Sequence, residues 1–318
     1  MTEEEDIDAL ETDESKLVAK YRCRGYARGT CDHESDKPWV GFCPSCGRPY
    51  DCEKIKGASK HKKPLTSLFK PKQYLSTGIP EVDRVMGGGF VRSCSFVIAG
   101  EPGGGKTTIY LQVCGHLFRK DKRILFASGE QTREEIAQMA HRFGTFDGLN
   151  LEDSVVQKGI EENFVILGME NDVYAIVERI KEVKPCFAVV DSLQVVGAGD
   201  VEAQCGSTDQ VKAVANILTD CGKETKVPIA MVSQVTKGLD IAGSMQALHA
   251  CDGIFYISKR PSDDKNDERN EKPKNWPWRT LECHGKNRNG SVDETATFEM
   301  TSKGLVPVRP KGKLTLVE

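Results

Sequence analysis

The chain has 318 residues, 38% of them hydrophobic and 29% charged, with a formal net charge of -3 at pH 7. That composition excludes a fibrous or wholly disordered chain and leaves room for one sizeable core plus a small accessory module. No apolar run approaches the ~20 residues that cross a bilayer, and Met1 to Glu14 lacks the charged-then-apolar order of a secretory signal, so the reading is a cytoplasmic protein with no membrane partner.

In chain order, residues 1–20 come first. Met1 to Ser15 hold eight acids and no base, which reads as a solvated, disordered tail. Residues 21–53 then place Cys23, Cys31, Cys43 and Cys46 in a C-x7-C-x11-C-x2-C pattern. Twelve cysteines in a chain of this class point to a metal site rather than to disulfides. Gly41-Phe42-Cys43-Pro44-Ser45-Cys46-Gly47 is a zinc knuckle, whose final glycine permits the turn that aims two thiolates at one Zn²⁺. The first half-site is expanded, and His33 or Cys52 stands as an alternative to Cys31 for the fourth ligand. So short and polar a segment has little core without a metal. Seven other cysteines sit singly on apolar segments, as small buried side chains.

Residues 54–74 form a basic linker, with seven lysines and no acid from Lys54 to Lys72. Such a block either tracks phosphates or tethers two units, and Thr66-Ser67-Leu68-Phe69 inside it is a short apolar patch able to dock on a neighbouring subunit.

From residue 75 onward, short apolar runs alternate with amphipathic helices, the pattern of an α/β fold whose mostly parallel sheet is covered on both faces. Ser95-Phe96-Val97-Ile98-Ala99 reads as a strand, and Ile109, Val113 and Leu117 share one face of a following helix. Between them lies Gly100-Glu101-Pro102-Gly103-Gly104-Gly105-Lys106-Thr107, with Thr108 next. Strand, G-x-x-x-x-G-K-T and helix together make a phosphate-binding loop. Its backbone N–H groups converge on the phosphates of a nucleoside triphosphate, Lys106 reaches the outer phosphates, and the Thr107 hydroxyl holds Mg²⁺.

Three more apolar runs end in polar residues. Arg123–Ala127 delivers Ser128, Gly129 and Glu130. A capping box at Thr132-Arg133-Glu134-Glu135 then opens a helix on Ile136, Met139, Ala140 and Phe143. Val173, Ile176, Val177 and Ile180 mark another helix before Pro185. Cys186–Val190 delivers Asp191 and Ser192, and Val211, Val214, Ala215 and Leu218 mark a third helix. Ile229–Val232 delivers Ser233 and Gln234. Ligands of such sheets sit beyond the carboxyl ends of the strands, so these residues are expected to face one nucleotide. Asp191 fits the acid that holds Mg²⁺, Glu130 the base that takes a proton from the attacking water, and Gln234 a sensor of the outer phosphate. Lys259 to Lys274 reads as a surface loop, and Arg279–Cys283 as a strand followed by Lys286 and Arg288.

With these motifs in place, the sequence resembles the RadA/Sms family of bacterial DNA-repair ATPases, within the RecA-like and DnaB-like motors. Leu75 to Gly89 is similar to the family's opening segment, and Ser128-Gly129-Glu130 and Asp191-Ser192-Leu193-Gln194 occupy the expected places. Val235-Thr236-Lys237 resembles its DNA-facing loop, Lys286-Asn287-Arg288-Asn289-Gly290 its K-N-R-F-G signature, and Trp39 to Cys46 its zinc module. The resemblance implies a RecA-like ATPase core over 75–308, preceded by the zinc module and followed by a tail, 309–318. It further implies a ring of identical chains, commonly six, around single-stranded DNA. Lys237 would contact the DNA, and Lys286 and Arg288 would reach the neighbouring subunit's nucleotide. Recombinase or replication proteins would be its partners. Asn289 stands where the family carries an aromatic, and the chain stops soon after Thr301–Leu305, where a Lon-protease-like domain usually follows. A shortened form of this kind suits a bacteriophage.

The leading function is thus an ATP-driven single-stranded-DNA translocase or helicase in recombination (branch migration), repair or phage replication. The alternatives are a strand-exchange recombinase filament and an ATP-switched DNA-binding or recruitment protein.

Overall fold

A computed structural model describes residues 21–25, 29, 31–35, 42–48, 52–54, 72–234, 248–259 and 277–308. The acidic tail, most of the lysine block with its apolar patch, Lys237 and its loop, the loop expected to follow Lys259, and residues 309–318 lie outside the described residues. The chain divides into two compact units, Met1–Pro71 and Lys72–Glu318.

In the first unit, β1 (Tyr21–Cys23) pairs antiparallel with β2 (Glu34–Ser35) on one side and β3 (Cys52–Lys54) on the other. Three such short strands bury too little apolar surface to hold one another, which leaves the sulfurs between them as the natural fastening.

The second unit opens on β4 (Tyr74–Leu75), which pairs with β5 (Phe90–Val91) around the short helix α1 (Pro80–Met86). The further strands are β6 (Ser95–Gly100), β7 (Ile124–Ser128), β8 (Phe164–Gly168), β9 (Phe187–Asp191), β10 (Ile229–Gln234), β11 (Gly253–Ser258), β12 (Trp278–Asn287), β13 (Thr295–Thr301) and β14 (Gly304–Pro307). Among the described residues they form one nine-stranded sheet in the order β14-β13-β12-β11-β6-β10-β9-β7-β8. From β11 to β8 every neighbouring pair is parallel, and β12, β13 and β14 continue the sheet antiparallel.

Helices cover both faces of that sheet, which is why the central strands read as unbroken apolar runs. On one face α5 (Val173–Val183) and α6 (Thr208–Thr225) pack Ile176, Ile180, Val214 and Leu218 against Val97, Leu125, Val190 and Met231. On the other, α1, α2 (Lys106–Phe118) and α3 (Arg133–Arg142) pack Val85, Ile109, Val113 and Ile136 against Phe96, Ile98, Phe126 and Val189. Alternate residues of one strand thus serve opposite cores, as the two-residue period of a pleated strand requires. The capping box at Thr132 is formed, with its hydroxyl accepting from Glu135 N–H and the Glu135 carboxylate accepting from Thr132 N–H. No helix among the described residues is long and apolar enough to cross a membrane.

One element departs from the sequence reading. The strand expected over Arg279–Cys283 runs on to Asn287, so Lys286 lies within β12 rather than beyond it. A bulge makes this possible: the register against β11 shifts between Ile254 and Phe255, and Gly285 takes up the extra length at φ 75°. Two elements carry no clear sequence signal, the helix α4 (Ser154–Asn163) and the edge strand β8 that follows it.

Candidate functional site

Four adjacent strands, β6, β10, β9 and β7, end at one place. β6 passes into the phosphate loop, and two of its glycines are demanded by geometry. Gly105 opens α2 at φ 102°, a left-handed conformation open to glycine at little cost. Gly100 has the Ile257 carbonyl 2.3 Å from where a Cβ would stand, so β11 presses directly on the loop. Gly104 N–H donates to Glu101 O at 3.0 Å and closes the turn through Pro102 and Gly103. Lys106 is buried, its ammonium donating to Gly100 O (2.7 Å) and Glu101 O (2.9 Å). Burial pulls its pKa down, against the charges of Asp191 and Glu130, which hold it up. Thr107 and Thr108 follow in the first turn of α2.

The Thr107 hydroxyl donates to Asp191 Oδ2 at 2.5 Å. Glu130, at the end of β7, accepts on Oε1 from the Ser192 hydroxyl (2.7 Å) and from Gln234 Nε2 (3.3 Å). The expected lysine, threonine, two acids and glutamine are thereby brought to the same strand ends, as Lys106 on the loop, a Thr107–Asp191 pair and a Ser192–Glu130–Gln234 set. Two further contacts went unread in the sequence. Gln194 donates from Nε2 to the Ser233 hydroxyl (2.9 Å) and accepts Gln234 N–H (3.2 Å), tying the ends of β9 and β10 together. Arg279, buried in β12, donates from Nη2 to Gly103 O at 3.4 Å. Gln194 stands in the Asp191–Gln194 segment already noted, but its partners Ser233 and Gln234, like the Arg279–Gly103 pair, are brought together only by the sheet order.

Asp191 is 7% exposed, and burial, with the Glu130 charge adding to it, pushes its carboxyl up to about 6 from the ordinary 3.8. Thr107 and Lys106 oppose that rise. A carboxylate and a hydroxyl oxygen in contact beside the loop are hard donors of the type Mg²⁺ takes, and a buried, poorly solvated carboxylate is one that a cation stabilises. The sign of the linkage follows. A carboxyl with a raised folded pKa contributes stability that is complete below about 4 and lost as pH rises through about 6. Asp191→Asn, which keeps an acceptor for Thr107, is therefore expected to stabilise the nucleotide-free protein by up to about 3 kcal/mol at pH 8. The gain should vanish toward pH 4. Thermal unfolding in metal-free buffer across that range checks it; equal melting temperatures for both proteins at pH 8 would contradict the assignment.

Lys286 and Arg288 are not brought to the loop of their own chain. Asn287 pairs with Gly253, and Gly253 pairs with Phe96, near the start of β6. From Ser95 to Gly100 is about 17 Å at ~3.3 Å per residue, longer than either side chain. The Lys286 ammonium donates to His249 O, and Arg288 Nη1 contacts Asp252 Oδ1 at 2.8 Å. Asn289 Oδ1 accepts from Lys72 at 3.0 Å, and its Nδ2 donates to Cys94 Sγ at 3.6 Å. At Asn289, then, a polar anchor to its own unit occupies the place of the family's aromatic.

In the first unit, the sulfurs of Cys23, Cys31, Cys43 and Cys46 lie within 4.8 Å of one another. Zn–S bonds of ~2.3 Å in a tetrahedron place sulfurs about 3.8 Å apart, and Cys31 and Cys43 are 3.7 Å apart. Backbone N–H groups of Gly25 and His33 donate to Cys23 and Cys31 sulfurs, both at 3.4 Å, so His33 supports a ligand through its backbone. Cys52 pairs across from Cys23 in β3 and stands outside the four. The donor set fits a structural Zn²⁺. Cys46→Ser is expected to lose that ion, because one missing thiolate opens the shell, while the main thermal transition of Lys72–Glu318 stays in place. Metal analysis beside calorimetry checks both halves.

The KaiC ATPase family model matches residues 75–312. The chain is 29% identical over 301 residues to the DNA repair protein RadA of Mycobacterium tuberculosis, covering 90% of this chain and 56% of that protein. It is 30% identical over 321 residues to the DNA repair protein RadA of Bacillus subtilis, covering 96% and 62%. The chain thus spans little more than half the length of these relatives. Among solved structures, a KaiC-like protein from Pyrococcus horikoshii superposes with a TM-score of 0.56 at 19% identity, covering 75% of this chain and 100% of that one; at that identity the likeness is one of fold.

Proposed function

The chain belongs to the KaiC ATPase family, and from that premise we propose that it is a DNA-dependent ATPase that moves along single-stranded DNA as a ring of identical copies. Recombination, repair or phage replication would be its setting, as for a translocase or helicase. The observation that carries the reading is the convergence at the ends of β6, β10, β9 and β7 of Lys106 on the loop, Thr107 bonded to Asp191, and Glu130 bonded to Gln234. Bound ATP with Mg²⁺ supplies the phosphoryl group and the screening of its charge. Lys106 and the loop N–H groups bind and orient the phosphates, while Thr107 and Asp191 hold the cation. Ser192 and Gln234 both bond Oε1 of Glu130, so the carboxylate is aimed, with Oε2 to receive a proton from water.

Gln234 ends β10 with its side chain on Glu130, immediately before Val235-Thr236-Lys237, the segment that resembles the family's DNA-facing loop. A side chain bonded to the base there is suited to pass loss of the outer phosphate onward. Lys237 in that segment is the proposed DNA contact. The name borne by both relatives, DNA repair protein RadA, supports a repair role.

Electron microscopy with single-stranded DNA and a non-hydrolysable ATP analogue tests the reading. A closed ring, together with ATPase activity stimulated by single strands, is the expected result. A continuous helical filament would instead indicate a strand-exchange protein, and activity indifferent to DNA would sink both.

A further inference from the structure

Asp252 is tied from its backbone and its side chain alike. It lies just before β11, where its N–H donates to Ser95 O (2.8 Å) and its carbonyl accepts Arg288 N–H (2.9 Å). Its carboxylate repeats the pattern: Oδ2 accepts Ser95 N–H (2.9 Å) and Oδ1 accepts Arg288 Nη1 (2.8 Å). The Asp252 side chain is 10% exposed, whereas that of Arg288 is 57% exposed. One carboxylate thus joins the first residue of β6 to a guanidinium at the surface.

An ordinary exposed ion pair contributes ~0–1 kcal/mol and leaves both side chains mobile. Here the acid is fixed by burial and by a backbone N–H, so the arginine alone has freedom to lose. A guanidinium has five N–H donors in a planar fork. Holding it by Nη1 restricts the swing of a side chain that is more than half exposed and has further donors, an arrangement suited to a phosphate.

We propose that Asp252 is a positioning residue for Arg288, holding the guanidinium pre-oriented for the nucleotide of an adjacent copy. The inference rests on the reading that Arg288 acts across a subunit boundary. A competing role is purely local: by binding Ser95, Asp252 would set the register of β6 and so the phosphate loop of its own chain.

Mixing chains separates the two roles. A Glu130→Gln chain has a defective base and a sound arginine, whereas an Arg288→Ala chain has the reverse. At equal amounts, about one boundary in four would pair a sound base with a sound arginine in a head-to-tail ring. That control mixture must recover activity, and its failure would overturn the trans reading itself. Asp252→Asn is expected to slow turnover by about 10²-fold, the usual cost of misplacing a reacting group by an ångström. If it acts through Arg288, it recovers when mixed with Glu130→Gln and fails to recover with Arg288→Ala. Added to Arg288→Ala in one chain, it should cost nothing further. Recovery with Arg288→Ala would place its effect on its own phosphate loop and overturn the proposal, as would parental turnover. Asp252→Glu, which keeps a carboxylate but carries it one bond farther from the backbone, is expected to give the same pattern. If neither variant folds, the role is structural and the proposal is wrong.

Discussion

Glu130→Gln should leave ATP bound and slow turnover by about 10²- to 10⁴-fold, the usual contribution of a positioned general base. The amide keeps an oxygen for the Ser192 hydroxyl at 2.7 Å and for Gln234 Nε2 at 3.3 Å, so the group stays assembled while its proton acceptor is lost. Lys106→Ala should behave differently. It removes the ammonium that now bonds Gly100 O and Glu101 O, and with it a direct phosphate contact, so binding itself should weaken. Fluorescent-nucleotide binding measured beside phosphate release separates the two. Hydrolysis by Glu130→Gln at the parental rate would mean that another group deprotonates the water.

Much of this site was legible in the sequence because it is built from local signals. The glycines of the phosphate loop, the apolar runs that become β6, β7, β9 and β10, and the polar residue closing each run are all contiguous. The sheet only had to set those strands side by side. What the sequence did not reveal depends on distant segments meeting. Arg279 reaches Gly103, and Asp252 reaches Ser95 and Arg288, across separations that no spacing rule describes. The choice among Cys31, His33 and Cys52 was open because only the folded segment gathers the sulfurs: Cys31 joins the group of four, while Cys52, though paired with Cys23, stands outside it. Helix α4 has no fully buried residue, and Val156 and Ile160, only partly covered, make too thin an apolar stripe to read. The length of β12 was hidden by Gly285, which marks the end of a strand as readily as a bulge within one.

The proposed sharing of active sites between copies predicts the other large effect. Lys286 and Arg288 lie beside the start of β6, the end remote from their own phosphate loop, so any catalytic role must be played on another copy. Burial and the Arg288 charge pull the Lys286 ammonium's pKa down, and a phosphate arriving there would reverse that. A cation acting across a boundary is worth ~10³-fold or more in turnover, so Lys286→Ala/Arg288→Ala should lose about that much while binding ATP normally. Parental activity should rise more steeply than linearly with protein concentration, because a lone chain lacks the cation. A chain carrying both alanines and a Glu130→Gln chain, each inactive alone, should regain activity together, most strongly near equal amounts, where mixed boundaries are commonest. Absence of recovery at every ratio, in assemblies shown by mass to contain both chains, would confine these residues to local structure at the end of β12, where Lys286 bonds His249 O and Arg288 bonds Asp252.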